Sequence, residues 1–218
     1  MSIETLRTTI DRHVSALLDI CPAYRASIDE ITMADYHELL GQLFHHVSGS
    51  SCTFAIAGDN LGPDRPEARD YLKRHAAREK SRWQWIRNDL AATRYEGPDP
   101  DGQFPGVETT AYLALSHYVA YRMPLAKLAI AAMLDAVSAR LGNGSALQIV
   151  QALGLTPEET SFLLARQTGD GTVTEEIFDI LRRSRLTEQE WHDVIWATEV
   201  AAVLYQRVRA AQRLYTFH

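Results

Sequence analysis

Cysteine is scarce in this sequence. Only Cys21 and Cys52 occur among 218 residues, and they do not form a C-x-x-C pair. This excludes a disulfide-stapled scaffold and a zinc site built from cysteine ligands. In a cytosolic setting we expect both thiols to be reduced and partly buried.

The sequence also lacks an excess of positive charge and any long apolar run. Lys and Arg together number 22 against 28 Asp and Glu, which gives a formal net charge of −6 at pH 7. Neither this balance nor any basic run offers the phosphate-tracking surface of a nucleic-acid-binding protein. No apolar run approaches the ~18 residues of a spanning helix, and the first residues show no secretion signal. We therefore expect a cytoplasmic protein that binds neither nucleic acid nor a membrane.

Strict alternation of polar and apolar residues is nearly missing, whereas apolar residues recur at helical spacing almost throughout. The pattern predicts an all-α fold, a bundle of about seven to eight helices. Hydroxyl residues followed three positions later by an acid predict three capped helix starts, at Thr32, Thr156 and Thr187. Glycines at 142, 144 and 154 predict helix ends. The predicted helices are 3–19, 33–58, 65–94, 108–140, 145–152, 157–167, 173–184 and 187–214.

A segment rich in Pro, Gly and Asp, residues 96–106, separates two helical halves. It could be a domain linker. We favour a surface loop within one domain over residues 1–218, because each half alone has only three or four helices whose apolar faces need a partner.

One predicted helix carries the first candidate site. Glu79 falls in the middle of its apolar stripe, where a carboxylate must be paired, ligated or protonated. His75 lies one turn before it and Arg82 one turn after it, so both can touch it. The simpler alternative is an ion pair between Glu79 and Arg82 at the edge of the core.

Two further acids are candidates. Asp135 is the only acid in the apolar run 123–137, so we expect it either to point at a partner or to face water at the helix flank. Asp170 follows Arg166 by four residues, but its Gly-Asp-Gly setting is also typical of an ordinary turn.

The sequence resembles the heme-oxygenase-like superfamily, and within it the branch of iron-containing redox enzymes. Pyrroloquinoline-quinone synthase and thiaminase II are neighbours of that branch. The resemblance rests on the spacing of Glu79, Asp135 and Asp170 and on two blocks of sequence. These are Leu6-x3-Ile10-x2-His13 with Cys21-Pro22, and Tyr36-x2-Leu39-Leu40-x-Gln42 with Val47.

The resemblance implies a diiron site whose ligands are largely replaced here. Glu79 and Asp170 keep their carboxylates, and Asp135 stands where the family has a Glu. The other ligand positions hold Ser48, Arg82, Arg166 and Val173. A guanidinium cannot ligate iron, but it can neutralise and bridge carboxylates. We therefore expect no cofactor, and we infer that Arg82 and Arg166 replace the metal with a salt-bridge network.

The sequence is also compatible with a site that binds a metal or heme. His75 and one of the adjacent His45 and His46 could converge with Glu79 in a single-metal site, since imidazole and carboxylate suit iron, zinc or manganese. The residues offered for a metal are then Glu79, Asp135, Asp170 and His75. Thr9-x3-His13 resembles a proximal heme-ligand motif, but the glycine-rich distal helix is absent.

Two function classes follow from the resemblance. The first is an oxidoreductase-like enzyme that acts on a small organic molecule, with Glu79 and Asp135 as acid/base residues and Arg82 and Arg166 binding negative charge. The second is a non-catalytic binding or interaction module with the same fold. Five aromatic residues favour a retained cavity, although ordinary core packing is the simpler explanation of each one: Trp83, Tyr118, Tyr121, Trp196 and Tyr205. Exposed aromatic faces are compatible with a homodimer.

Overall fold

A computed structural model describes residues 1–20, 31–165 and 172–211, and over these ranges the chain forms nine α-helices and two 3-10 turns, with no strand. The all-α prediction is confirmed, with slightly more helices than expected. The helices are α1 (Ile3–Ile20), α2 (Met33–Asn60), α3 (Pro66–Glu79), α4 (Arg82–Ala92), α5 (Val107–Arg122), α6 (Ala126–Leu153), α7 (Ser161–Ala165), α8 (Thr172–Arg183) and α9 (Glu188–Ala211). The 3-10 turns are Pro100–Gly102 and Pro157–Glu159.

Helices α2 and α6, each of 28 residues, are the centre of the packing. Helix α2 contacts α3, α4 and α5, while α6 contacts α1, α8 and α9. The buried apolar side chains form two clusters. The larger one joins α1, α3, α5, α6, α8 and α9 to the second half of α2, and the smaller one joins the first half of α2 to α4, α7 and the end of α6. The middle of α2 is therefore the place where the two clusters meet.

All three predicted caps are present. Thr32 and Asp35 form a capping box at the start of α2, and Thr187 and Glu190 exchange the same pair of bonds before α9. Thr156 and Glu159 form the third box, but it opens a 3-10 turn rather than an α-helix. The predicted helix 157–167 is thus wrong in detail, since α7 begins only at Ser161. The predicted end at Gly154 is confirmed by its φ of +65°, which a side chain would oppose.

Three other predicted boundaries are wrong. The stretch 108–140 breaks between α5 and α6 because Pro124 has no N–H to donate and clashes with a preceding helical turn. Helix α6 continues through residues 142–144, where the glycines predicted an end. Burial of Met133 and Val137 on one side and of Ile149 on the other outweighs the cost of about 1 kcal/mol for each helical glycine. The third is the break after Glu79, described below with the site.

The segment 96–106 is a loop tied to α4. Arg87 pairs with Asp99 at 2.8 Å and with Asp101 at 3.2 Å. Phe104 at its tip is almost fully exposed. Among the helices in the described ranges, none has the length and apolar character needed to cross a membrane.

Candidate functional site

A cavity of about 310 Å³ lies where the two apolar clusters meet. Its walls come from α2, α3, α6, α7 and α8, together with the first residue of α4. Val47 and Phe162 belong to the smaller cluster, and Phe54 and Ala131 to the larger one. Six of the side chains singled out from the sequence line this cavity: His46, His75, Glu79, Arg82, Asp135 and Val173.

Glu79 and Arg82 form an ion pair at the cavity wall. Arg82 Nη1 lies 3.0 Å from Glu79 Oε1, and the side chain of Glu79 is only 12% exposed. His75 Nε2 lies 3.8 Å from the same oxygen. The ion pair that was the simpler alternative is therefore present, and it faces the cavity.

The pair spans a break that the sequence did not predict. Helix α3 ends at Glu79 and α4 starts at Arg82, whereas one helix was expected over 65–94. The indole N–H of Trp83 donates to the carbonyl of Lys80 at 3.1 Å, which satisfies a group that the end of α3 leaves without a helical partner. The break therefore sets the direction from which Arg82 approaches Glu79.

Asp135 lines the cavity from α6 and caps a helix. Its Oδ2 accepts hydrogen bonds from the backbone N–H of Thr174 at 3.0 Å and from the Thr174 hydroxyl at 2.7 Å. Thr174 lies in the first turn of α8, where N–H groups lack helical acceptors and the helix dipole favours an anion. Thus the partner of Asp135 is a helix terminus.

Some predicted site residues lie elsewhere. Arg166 and Asp170, with Cys21, lie outside the described residues, although Ala165 and Thr172 on either side of 166–171 line the cavity. Ser48, assigned to a ligand position, is exposed and donates to the carbonyl of His45. On this stretch of α2 the cavity is lined by His46, Val47 and Ser50 instead.

The adjacent residues His45 and His46 point to different faces of α2, as neighbours on a helix do. His46 and His75 line the cavity, whereas His45, whose pKa is lowered by burial, does not. The ring of His75 lies 4.2 Å from that of Phe54, and the ring of His46 lies 4.9 Å from that of Tyr112, between centroids. Both rings are thus held in aromatic surroundings at the wall.

Two predictions about side-chain exposure are wrong. Of the five aromatic residues offered for the cavity, Tyr118, Tyr121 and Trp196 are 49%, 61% and 40% exposed on α5 and α9, and neither Trp83 nor Tyr205 is among the lining residues. Cys52 was expected to be partly buried, but it is exposed. In both cases helical spacing placed the residue on a face without showing what covers that face.

Two residues that sequence reasoning missed are Arg78 and Lys127. Arg78 lines the cavity beside Glu79. The available signal was its spacing, since Arg78 and Arg82 are four residues apart on either side of a half-buried acid. Lys127 is fully buried in the core, and its signal was a lone lysine at the start of an apolar run.

No protein-family model matches the sequence, and no curated protein matches it either. Solved structures do match. A domain of unknown function with a heme oxygenase-like fold from Shewanella denitrificans superimposes with a TM-score of 0.85 over 99% of this chain and 94% of that one, at 18% identity. The chain has the heme-oxygenase-like fold. A TenA homologue from P. horikoshii gives 0.74 over 97% and 98% at 10% identity. Heme oxygenase-2 from Synechocystis, solved with heme and NO, gives 0.68 over 96% and 84% at 17% identity.

The structure describes three of the four residues offered for a metal, Glu79, Asp135 and His75, within residues 1–20, 31–165 and 172–211, and Asp170 lies outside these ranges. Within these ranges, no three His, Cys, Asp or Glu side chains come close enough together to hold a metal ion. A guanidinium already contacts the carboxylate of Glu79. His13 is not among the residues that line the cavity, and its Nε2 lies 3.6 Å from Glu199 on α9. The described residues give the cavity charged and apolar walls.

Proposed function

We propose that the protein binds a small organic molecule with an anionic group in this cavity, and that it does so without a diiron centre. The observation that carries the proposal is the Glu79–Arg82 pair, which lies at the cavity wall with a carboxylate that is largely removed from water. A buried acid next to a cation in a concave site is the usual setting of a functional group.

Different parts of the cavity wall would bind different parts of the molecule. Arg82 is 35% exposed, so its planar guanidinium can meet a carboxylate or phosphate from the cavity side. Arg78 lines the same wall and adds a second cation. Val47, Phe54, Leu134 and Phe162 supply apolar surface for the rest of the molecule.

Glu79 is the proton-transfer residue in this proposal. An anion that takes over Arg82 leaves the carboxylate of Glu79 facing the bound molecule without its cation. The carboxylate can then exchange a proton with a group on the ligand, which is general acid/base chemistry. Asp135 is less suited to this role because its Oδ2 already holds the first turn of α8.

The second candidate is a non-catalytic module that keeps the fold with a salt-bridge network. The observation in its favour is that Glu79 and Asp135, the acids among the described residues that line the cavity, already have protein partners. The two candidates differ in whether Arg82 is available to a ligand.

Binding of benzoate and of phenyl phosphate, followed by ¹H–¹⁵N NMR at low salt, tests the proposal. We expect perturbed signals around the cavity, and we expect Arg82→Gln to weaken binding by about 10- to 100-fold, since a charge-assisted hydrogen bond contributes about 1.5–3 kcal/mol. Arg74→Gln is the matched control, because Arg74 lies on α3, outside the cavity lining, with Glu176 at 3.9 Å. Equal affinities of wild type and Arg82→Gln would contradict the assignment and favour the salt-bridge module.

Anaerobic titration with ferrous iron, followed by exposure to oxygen, tests the other half of the proposal. We expect no stoichiometric binding, because the Arg82 guanidinium competes with a cation for Glu79. Binding of one or two irons per chain, with a transient absorbing species after oxygen, would overturn this expectation.

A further inference from the structure

Lys127 is a buried amine at the start of α6. Its residue is only 3% exposed, and its Nζ donates a hydrogen bond to the hydroxyl of Ser116 on α5. The Ser116 hydroxyl lies 3.4 Å from that of Thr53 on α2, which donates to the carbonyl of Ser50 at 2.9 Å. In the described part of the chain no carboxylate forms an ion pair with this amine. The fold thus encloses a lysine among hydroxyl and apolar groups.

Such an environment favours the neutral amine. Burial lowers the pKa of Lys127 from its ordinary 10.5 to about 7. The position adds to this effect, because Lys127 lies in the first turn of α6, where the helix dipole disfavours a cation. A neutral amine is a nucleophile, whereas an ammonium ion is not, and desolvated lysines are the ones that form Schiff bases.

One side chain connects the amine with the cavity. Lys127 Nζ lies 4.7 Å from the centroid of the Phe54 ring, and Phe54 is also part of the cavity wall. Ala131, one helical turn after Lys127, lines the cavity as well. The Phe54 ring therefore adjoins both the amine and the cavity.

We propose that Lys127 is a concealed nucleophile that forms an imine with a small aldehyde or ketone reaching it from the cavity past Phe54. The amine lone pair attacks the carbonyl carbon, and the carbonyl oxygen leaves as water when the C=N bond forms. The two hydrogens of the amine nitrogen leave with that oxygen as water, and the Ser116 hydroxyl, bonded to the amine, is placed to relay a proton from the nitrogen to the oxygen. The reaction needs the cavity but not its arginines, so a neutral carbonyl compound tests it separately from the anion site.

Acetaldehyde with cyanoborohydride is the probe. Hydride reduces the imine to a secondary amine, and peptide mass spectrometry then locates the added ethyl group. Lys73 and Lys80, the two other lysines of the sequence, are exposed and serve as internal references. The neutral fraction of an amine with a pKa near 7 rises only about twofold between pH 7 and pH 9, whereas that of an ordinary lysine rises about 100-fold.

We expect ethylation of Lys127 in the folded protein, and we expect its yield to rise only about twofold from pH 7 to pH 9. Phe54→Ala should speed the reaction at Lys127 but not at Lys80. Phe54→Leu gives the same comparison with a smaller loss of packing. Benzoate binding should be unchanged in Lys127→Met, which separates this site from the proposed anion site. Two results would overturn the proposal: a Lys127 that stays unmodified in folded wild type and in both Phe54 variants, or one whose labelling rises about 100-fold from pH 7 to pH 9.

Discussion

Lys127→Met is expected to raise the free energy of unfolding by about 3 kcal/mol at pH 7. A pKa near 7 in the folded chain, against 10.5 in the unfolded chain, lowers the free energy of unfolding by roughly 4 kcal/mol at pH 7. The reason is that the unfolded chain binds the proton more tightly than the folded chain does. The variant also lacks the hydrogen bond to Ser116, and this loss reduces its stabilisation by about 1 kcal/mol. Methionine has nearly the volume and flexibility of the lysine stem, so it should fill the space without a cavity.

The gain should shrink as the pH rises. The folded-state pKa of Lys127 lies below the unfolded one, so its penalty is complete below pH 7 and disappears towards pH 10.5. Wild-type stability therefore rises through this window by roughly 1 kcal/mol per pH unit relative to the variant. Measurement should stop near pH 9.5, because burial raises the pKa values of Tyr36 and Tyr71, and their stabilising contribution is lost at higher pH. Thr53, Phe54 and Ser116, the groups in contact with the amine, do not titrate.

Urea unfolding of wild type and Lys127→Met at pH 7, 8 and 9.5 measures the effect. Lys80→Met, a change at an exposed lysine, is the control and should alter stability by less than about 0.5 kcal/mol at every pH. A Lys127→Met variant whose stability runs parallel to wild type over this range would show that the amine is protonated in the folded chain. It would also remove the basis for a nucleophilic lysine.

The features that the sequence predicted correctly depend on residues close together along the chain. The capping boxes at Thr32 and Thr187 depend on residues three positions apart, and both are present. The contacts of Glu79 with His75 and Arg82 also follow from spacing, even though the helix breaks between them. Fold class followed from periodicity, which is a property of whole segments rather than of boundaries.

What the sequence did not predict depends on partners far along the chain. The continuation of α6 through residues 142–144 is decided by packing of its two ends against different clusters, which no local glycine rule contains. Asp135 and Lys127 lie in the same apolar run, but one reaches Thr174 and the other Ser116. A lone polar residue in such a run shows that a partner is needed without naming it.

Asp89 is another buried polar residue whose partners lie far along the chain. Its replacement should be strongly destabilising. The residue is fully buried on α4, and it accepts hydrogen bonds from groups 72 and 73 positions further along the chain. Its Oδ1 accepts from the N–H and hydroxyl of Ser161, and its Oδ2 accepts from the N–H of Phe162 at 2.9 Å. Burial raises the pKa of this carboxyl, although the three hydrogen bonds act in the opposite direction.

We expect Asp89→Ala to lower the free energy of unfolding by about 3 kcal/mol, because it leaves the first N–H groups of α7 without an acceptor in a buried place. Asp89→Asn should lose less than Ala but should not match wild type, since one of the two acceptor oxygens becomes an NH₂ group that faces an N–H donor. Asp101→Ala, at an exposed ion pair with Arg87, is the control and should cost less than about 1 kcal/mol.

The same variant connects the fold to the candidate site. Phe162 is 1% exposed and lines the cavity, so the cap on α7 also fixes part of the cavity wall. Asp89→Ala should therefore weaken benzoate binding while the folded state is still populated, whereas Asp101→Ala should not. Equal losses of stability in the two variants, measured by urea unfolding, would show that α7 is held by packing of Phe162 alone. In that case the carboxylate of Asp89 would not be needed to shape the cavity.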